Sequence, residues 1–307
     1  MHGRDLLSIA DLNAEELELV LSVAARLKRD GSPRALQGKT LALVFEKPSL
    51  RTRVSFDVAM QQLGGHTVHL SHGEVGLGQR EPVADVARVL SRYVEGIVAR
   101  TYEHRTLVDL AEFASVPVIN ALSDVEHPCQ ALADLLTIRE RKGGLRGVRI
   151  AFIGDGNNVA SSLAQASALA GAHFAIASPP GYRLSEEALV QAEASAQACG
   201  GSFRAVEAPQ EAAEGADVVY TDVWTSMGQE DSHQQRLRAF AAYQVTPELL
   251  ASARPDAIFM HDLPAHRGEE TVDEVIEGAQ SVVFDQAENR LHAQRAVLLL
   301  LLGDATE

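Results

Sequence analysis

Residues 41–56 have the sequence LALVFEKPSLRTRVSF. The apolar run Leu41–Phe45 predicts a buried strand, and the following Pro48 marks a turn. Helical spacing then continues through Val54–Leu63 and stops at two glycines. A strand that passes directly into a helix is half of a βαβ unit, so this stretch predicts an α/β fold.

The same alternation continues along the chain in two series. Short apolar runs predict strands, and the amphipathic segments between them predict helices that cover both faces of a mostly parallel sheet. The predicted strands after the first are Thr67–Leu70, Gly96–Arg100, Val116–Asn120, Val148–Ile153, His173–Ala177, Ser202–Val206, Asp217–Tyr220, Ala257–Met260 and Ser281–Phe284.

A break at Lys142-Gly143-Gly144 separates the two series. A chain of 307 residues is long enough for two domains, and we predict them at 1–142 and 143–285. The last helix, 286–307, is too apolar to lie with one face in water. We therefore expect this helix to pack back against the first domain.

Composition excludes several classes of protein. With 27 basic and 42 acidic residues the net charge is −15, which disfavours binding to nucleic acid or to an anionic membrane. The longest aliphatic run, Val297 to Leu302, is far too short to span a bilayer, and Met1–Asp11 lacks the apolar stretch of a signal peptide. Cys129 and Cys199 do not suggest a disulfide framework. These features predict a cytoplasmic protein.

The helix that follows Pro48 begins with two hydroxyls and two guanidiniums: Ser49, Arg51, Thr52 and Arg53. Unpaired N–H groups at a helix start favour an anion, and arginine offers a planar fork to phosphate oxygens. This first turn predicts a phosphate site. The alternative interpretation is a capped surface helix with solvated arginines.

Two further polar features precede the domain break. His127 and Gln130 fall on the first turn of a helix that starts at Pro128, and Arg100 ends a predicted strand. Open α/β sheets place ligands beyond the carboxyl ends of their strands, so these side chains could face one substrate. Taken alone, each could equally be a helix cap or a surface charge.

The second domain has a glycine-rich turn, Gly154–Val159, that imitates a dinucleotide fingerprint. The imitation is incomplete because Val159 stands at the third glycine position and Ser178 ends the next strand where an acidic residue should bind a ribose. A nicotinamide enzyme is therefore only an alternative. Two other strand-end loops, Asp222–Gly228 and His261–His266, supply polar groups at the same sheet edge.

Three histidines, His66, His69 and His72, have a spacing that could suggest a metal site. On a strand, however, the side chain of His69 points away from the other two. We expect no metal site.

Four ordered motifs resemble those of the aspartate/ornithine carbamoyltransferase family, and most closely its ornithine branch. Ser49–Arg53 is similar to the family's Ser-Thr-Arg-Thr-Arg, His127–Gln130 to His-Pro-x-Gln, Asp222–Gly228 to Asp-x-x-x-Ser-Met-Gly, and His261–Pro264 to His-Cys-Leu-Pro. The resemblance covers essentially the whole chain. It implies transfer of a carbamoyl group from carbamoyl phosphate to L-ornithine, without a cofactor, in a homotrimer whose sites are shared between chains.

The resemblance also implies the role of each site residue. Residues expected to hold carbamoyl phosphate are Ser49, the Leu50 amide, Arg51, Thr52, Arg100, His127, Gln130, the Leu263 carbonyl, Arg295 and, from a neighbouring subunit, Gln79. Residues expected to hold ornithine are Asn158, Asp222, Ser226 and Met227. Arg100, His127, Gln130, Asp262 and Arg295 form the expected catalytic set.

Two positions depart from the family pattern. Leu50 replaces a threonine, and Asp262 replaces the cysteine that usually stands beside the acceptor amine. We hypothesise that Asp262 attracts the incoming ammonium group and accepts its proton; the alternative is that it only caps the loop. Aspartate is disfavoured as acceptor because the loop Ser71–Glu81 carries Arg80 but none of the lysines of the aspartate branch. A non-catalytic anion-binding protein on this fold remains a further alternative.

Overall fold

A computed structural model describes residues 1–226 and 228–304. The chain forms two compact units. The first comprises Met1–Leu136 together with Asn289–Glu307, and the second comprises Thr137–Glu288.

The first unit contains a four-stranded parallel sheet in the order β2-β1-β3-β4. Its elements in chain order are α1 (Ala14–Asp30), β1 (Thr40–Phe45), α2 (Leu50–Gln62), β2 (His66–Ser71), α3 (His72–Val75), α4 (Val83–Leu90), β3 (Gly96–Arg100), α5 (His104–Phe113), β4 (Val118–Leu122) and α6 (Pro128–Lys142), of which α6 continues into the second unit.

The second unit contains a five-stranded parallel sheet in the order β7-β6-β5-β8-β9. Its elements are β5 (Arg149–Ile153), α7 (Asn158–Leu169), β6 (His173–Ala177), α8 (Glu186–Cys199), β7 (Ser202–Val206), α9 (Pro209–Ala213), β8 (Val218–Thr221), α10 (His233–Phe240), α11 (Pro247–Leu250), β9 (Ile258–His261), α12 (Asp273–Ile276) and the start of α13 (Val283–Leu302). The predicted fold class is confirmed for both units.

The C-terminal helix α13 returns to the first unit, as its apolar sequence predicts. From Asn289 onward it belongs to that unit, and its tail is held there by Lys39, whose Nζ donates to the Leu302 carbonyl at 2.6 Å. A Cβ at Gly96 would lie 3.0 Å from a Leu302 methyl group. The absence of a side chain at Gly96 therefore lets the helix end pack directly on the start of β3.

One predicted strand is wrong. Ser281–Phe284 makes only an isolated bridge between Ser281 and Phe259, and α13 begins at Val283. The N–H of Val282 donates to the Phe259 carbonyl at 3.0 Å, after which the chain turns into the helix. By periodicity alone, a short apolar run fits a strand and the start of a buried helix equally well. In this chain the run is the start of a helix.

Strand register brings the motif residues to one edge of each sheet. Phe45 pairs with Arg100 at the ends of β1 and β3, and Thr221 pairs with His261 at the ends of β8 and β9. The loops that follow these residues therefore emerge side by side at the carboxyl edge.

Among the helices of the described residues, none is both long and apolar enough to cross a membrane.

Candidate active site

The residues of the predicted anion site lie at the first turn of α2. Ser49 is the N-cap of this helix, and its hydroxyl accepts a hydrogen bond from the Thr52 N–H at 3.3 Å. Leu50 is 75% exposed, so its side chain is not needed for packing, whereas Thr52 is buried. The helix start and the Leu50 amide remain available to an anion, which is consistent with the change from threonine to leucine at position 50.

A buried arginine that the sequence analysis missed joins this turn to the His127 motif. Arg290 on α13 donates through Nη2 to Thr52 Oγ1 at 2.9 Å and through Nη1 to Gln130 Oε1 at 2.6 Å. Gln130 in turn donates through Nε2 to Asp134 Oδ1 at 2.8 Å. One planar guanidinium thus fixes two site residues from different helices, which a lysine could not do with the same geometry.

Arg295, which we expected at the anion site, lies elsewhere. Its Nη1 donates to Ser32 Oγ at 2.7 Å and to Gln62 Oε1 at 2.8 Å. Gln62 is the last residue of α2, about 15 Å along the helix axis from Thr52. The structure therefore does not bring Arg295 to the other predicted anion-site residues. The α13 arginine that contacts Thr52 and Gln130 is Arg290.

The loop before α6 positions His127, which is buried. Glu126 anchors this loop because its carboxylate accepts the Ile9 N–H at 3.0 Å and the Ser8 hydroxyl at 2.5 Å. Burial lowers the pKa of His127 well below its usual value, and the charges of Arg290 and Arg100 lower it further. His127 is therefore a neutral imidazole across the physiological range, able to donate one hydrogen bond without carrying charge.

Arg100 ends β3 and is 7% exposed. Besides burial, the charges of Arg290 and Arg100 both lower the pKa of His127, so both arginines lie near its imidazole. Together with the hydrogen bonds of Arg290, this brings five residues together within the first unit: Thr52, Arg100, His127, Gln130 and Arg290. Gln79 is exposed on the turn between α3 and α4, where its N–H donates to the Gly76 carbonyl.

In the second unit, Asp222 follows β8 and is buried. The Asn157 side chain donates to its Oδ2 at 2.7 Å, and the Val223 N–H donates to its Oδ1 at 2.6 Å. Asn157 also caps α7, where its Oδ1 accepts the N–H groups of Val159 and Ala160. Asn157 was not predicted as a site residue, although its place just before a helix is a recognisable capping signal.

Asp262 follows β9 and lies beside Asp222. Oxygens of the two carboxyl groups and a nitrogen of His261 lie within 4.8 Å of one another. Burial and the neighbouring Asp262 raise the pKa of Asp222 well above its usual range. Two carboxyl groups so close together in a buried site resist losing both protons.

His261 lies between the two aspartates and the loop that follows β9, and hydrogen bonds to that loop hold its ring in place. The Leu263 N–H donates to Nδ1 at 2.9 Å, and Nε2 lies 2.9 Å from Glu270 Oε1. Burial lowers the pKa of His261, but hydrogen bonds with Asp262 and Glu270 raise it more, so the net shift is upward. Protonating Nδ1 would destroy the Leu263 hydrogen bond. The raised pKa favours an imidazolium, but while Nδ1 accepts the Leu263 N–H the ring has a single proton, on Nε2 and directed at Glu270.

The other predicted acceptor-side residues lie on neighbouring turns. Asn158 is the first residue of α7, the Ser226 N–H donates to Gln229 Oε1 at 3.1 Å, and Leu263 has a left-handed backbone with φ of 60°. Such a conformation is unfavourable for leucine and occurs mostly where the surrounding structure enforces it. Met227 lies outside the described residues.

Two groups among the described residues have spacing that could suit a cation: Asp222 with His261 and Asp262, and His266 with Glu269 and Glu270. Protein donors already occupy Asp222, and Glu270 Oε1 accepts the His266 N–H at 2.6 Å as well as facing His261. These hydrogen bonds account for the arrangement, and we assign no metal ligand in either group.

Two family models match the chain along most of its length. The carbamoyl-P binding domain of aspartate/ornithine carbamoyltransferase matches residues 4–140, and the Asp/Orn binding domain matches residues 146–301. The chain belongs to the aspartate/ornithine carbamoyltransferase family. It is accordingly a carbamoyl-transferring enzyme, and the family predicted from its motifs is confirmed.

Individual relatives of this carbamoyltransferase are similar over nearly their full length. An ornithine carbamoyltransferase of Acidothermus cellulolyticus is 56% identical over 304 residues, covering 98% of this chain and 97% of the relative. An anabolic ornithine carbamoyltransferase of Pyrococcus furiosus is 53% identical, with 98% and 97% covered. The solved structure of ornithine carbamoyltransferase from Pyrococcus furiosus has a TM-score of 0.95 and 52% identity, again covering 98% and 97%.

Proposed function

We propose that this chain transfers the carbamoyl group of carbamoyl phosphate to the δ-amine of L-ornithine, giving L-citrulline and phosphate. The predicted activity is confirmed by curated ornithine carbamoyltransferases at about 53% identity over nearly the whole chain. The observation in the structure that carries the proposal is the Arg290 bridge, which assembles Thr52 and Gln130 beside the neutral His127.

Carbamoyl phosphate binds in the first unit, which comprises Met1–Leu136 and the C-terminal helix from Asn289 onward. Ser49, the Leu50 amide, Arg51 and Thr52 hold its phosphate, supported by the free N–H groups at the start of α2. Arg290 supplies the further positive charge that we had expected from Arg295. Its two hydrogen bonds orient Thr52 toward the phosphate and Gln130 toward the carbamoyl amide.

Arg100 and His127 act on the carbamoyl oxygen. Attack of a neutral amine on the carbamoyl carbon builds negative charge on that oxygen, and donors fixed in advance stabilise it. His127 donates as a neutral imidazole and Arg100 as a cation. The negative charge that develops on the carbamoyl oxygen is therefore stabilised by the positive charge of Arg100 and by the N–H dipole of His127. Removal of either donor should cost about 10²–10³ in kcat by analogy with other oxyanion donors.

Ornithine binds in the second unit, on domain 143–285. Asp222 accepts from its α-ammonium group, while Asn158, Ser226 and Met227 hold the α-amino acid part. The carboxyl edge where β8 and β9 end supports this placement because ligands of open α/β sheets bind there.

Citrulline formation provides the direct test of substrate choice. Carbamoyl phosphate should be consumed with ornithine much faster than with aspartate, putrescine or acetylornithine, compared in parallel at equal concentration. Putrescine lacks the α-carboxylate, so its poor reaction would show that the amino acid part is recognised. Faster carbamoylation of any of the other three would contradict ornithine as the acceptor.

The active form is a homotrimer or a multiple of trimers. β2 is an edge strand, and Val68 on it is 47% exposed, while Val54 on the adjacent α2 is 49% exposed. An unpaired edge flanked by apolar side chains favours contact with another subunit. Gln79 is exposed on the turn that follows β2 and α3, and we assign it to the phosphate site of the neighbouring chain.

Mixed oligomers test this shared site. Gln79→Ala and Arg51→Ala chains should each be inactive alone, yet co-refolding the two should restore part of the activity, because some sites receive both native residues. Each variant refolded with itself is the control. If the mixture never exceeds its parents, the site is not shared between chains.

The enzyme is proposed to act in the cytoplasm and in arginine biosynthesis. Cys129 and Cys199 are both free, and burial raises the pKa of the Cys129 thiol to about 12, which suits a structural thiol in a reducing compartment. The direction toward biosynthesis rests on the similarity to the anabolic enzyme of Pyrococcus furiosus.

A further inference from the structure

The carboxyl pair at the ends of β8 and β9 is a direct consequence of having Asp262 in place of the family's cysteine. Thr221 and His261 are register partners at the ends of adjacent parallel strands, and Asp222 and Asp262 are the residues that follow each strand. Both are largely buried, with side-chain exposure of 13% at Asp262 and 6% overall at Asp222. The two carboxyl groups are therefore forced together by backbone register, not by a flexible contact.

We infer that Asp222 and Asp262 hold one proton between them in the free enzyme and release it when the α-ammonium group of the acceptor amino acid binds. The inference rests on the proposed role of Asp222 in binding ornithine. In the free state the pair has one proton and one negative charge. In the bound state the ammonium group takes the place of the proton, which leaves for solvent, and both carboxylates are ionised.

The surroundings of Asp222 favour a shared proton. The two groups that donate to it, the Asn157 amide and the Val223 N–H, are both neutral and cannot balance a second charge. His261 faces the pair, but its Nδ1 accepts the Leu263 N–H and its Nε2 proton is directed at Glu270. While Nδ1 accepts the Leu263 N–H, the single ring proton lies toward Glu270, so the proton held near the two aspartates belongs to the pair. A protonated His261 would instead lower the pKa of Asp222.

The raised pKa of Asp222 agrees with this geometry and fixes the sign of the effect. At a pH below the raised pKa the pair is protonated, and ornithine must displace that proton to bind. As the pH rises through the pKa of the pair, the proton is already gone and affinity increases. With cysteine at position 262 the linkage is weaker, because only burial then raises the pKa of Asp222 and the contribution of a second carboxyl group is lost.

The test uses L-norvaline, which has the α-amino acid part of ornithine but no δ-amine that could itself lose a proton. Norvaline is titrated calorimetrically into the enzyme with a non-hydrolysable phosphonate analogue of carbamoyl phosphate present throughout. Repeating the titration in buffers of different ionisation enthalpy counts the protons released. We expect proton release that approaches one per norvaline at a pH below the pKa of the pair and declines as the pH rises through it.

Two variants locate the source of the proton. Asp262→Asn and Asp262→Cys should both bind norvaline with clearly less proton release than wild type, since neither retains the second carboxyl group that raises the pKa of Asp222. Glu270→Gln keeps a hydrogen-bond acceptor for His261 and should release the proton as wild type does. A band for a protonated carboxyl group in the infrared spectrum of the free wild-type enzyme, absent from Asp262→Asn, provides a readout that needs no ligand.

The outcomes separate the inference from the proposed function. Norvaline binding with no dependence on the buffer, or equal proton release by wild type and both Asp262 variants, would overturn the shared proton while leaving the ornithine site intact. Loss of the release in Glu270→Gln alone would assign the proton to His261 instead. Failure of the wild type to bind norvaline at all would overturn the ornithine site and the role of the pair with it.

Discussion

Replacing Arg290 with alanine is expected to lower kcat/KM for carbamoyl phosphate by about 10²- to 10³-fold, the range found when a fixed donor is removed from a charged transition state. The side chain is 4% exposed and donates to both Thr52 and Gln130. Its loss leaves two buried acceptors unpaired and removes one positive charge from a site for a dianion. Steady-state kinetics at saturating ornithine measure the effect.

Arg295→Ala is the matched control, because Arg295 is also a buried arginine on α13 but hydrogen-bonds to Ser32 and Gln62. We expect it to lower thermal stability while KM for carbamoyl phosphate stays close to the wild-type value. Arg290→Lys should fall between the two, since an ammonium group keeps the charge but cannot reach both partners in one plane. Equal losses of activity in Arg290→Ala and Arg295→Ala would refute the assignment of Arg290.

The sequence predicted Arg295 at the position that Arg290 has in the structure, and the reason is physical. Residues five positions apart on a helix are separated by about 140° around its axis, so they face different neighbours. An amphipathic helix would reveal which face is inward, but the end of α13 is apolar on all sides, from Val297 to Leu302. Without a polar face, the sequence does not indicate the rotation of the helix. Only packing against α2 shows that Arg290 points at Thr52.

Other features were within reach of the sequence. Each predicted strand-end loop in the second unit emerges where expected, since parallel strands share one carboxyl edge. The closeness of Asp222 and Asp262 was not predictable in the same way. It depends on β8 and β9 being neighbours and on Thr221 pairing with His261, although the two aspartates are 40 positions apart in the sequence. Strand order and register are products of the whole sheet.

Arg51→Ala is expected to weaken binding of carbamoyl phosphate at least about tenfold, because a charge-assisted hydrogen bond to phosphate contributes about 1.5–3 kcal/mol. Arg51 lies in the first turn of α2, beside the cap formed by Ser49, and is half-buried there. The N–H groups at this helix start and the guanidinium would act on the same oxygens. Titration calorimetry with the phosphonate analogue of carbamoyl phosphate measures the loss.

Arg53→Ala provides the matched control for that experiment. Arg53 is two residues further along α2 and exposed, and its charge contributes to lowering the pKa of His69 on β2, after the larger effect of burial. It therefore faces β2, and an exposed cation that also faces water contributes little to binding at a distance, particularly at physiological ionic strength. We expect affinity for the analogue to change less than about threefold in Arg53→Ala. If the two variants lost affinity equally, general positive charge on α2 would account for binding, and Arg51 would hold no specific place in the phosphate site.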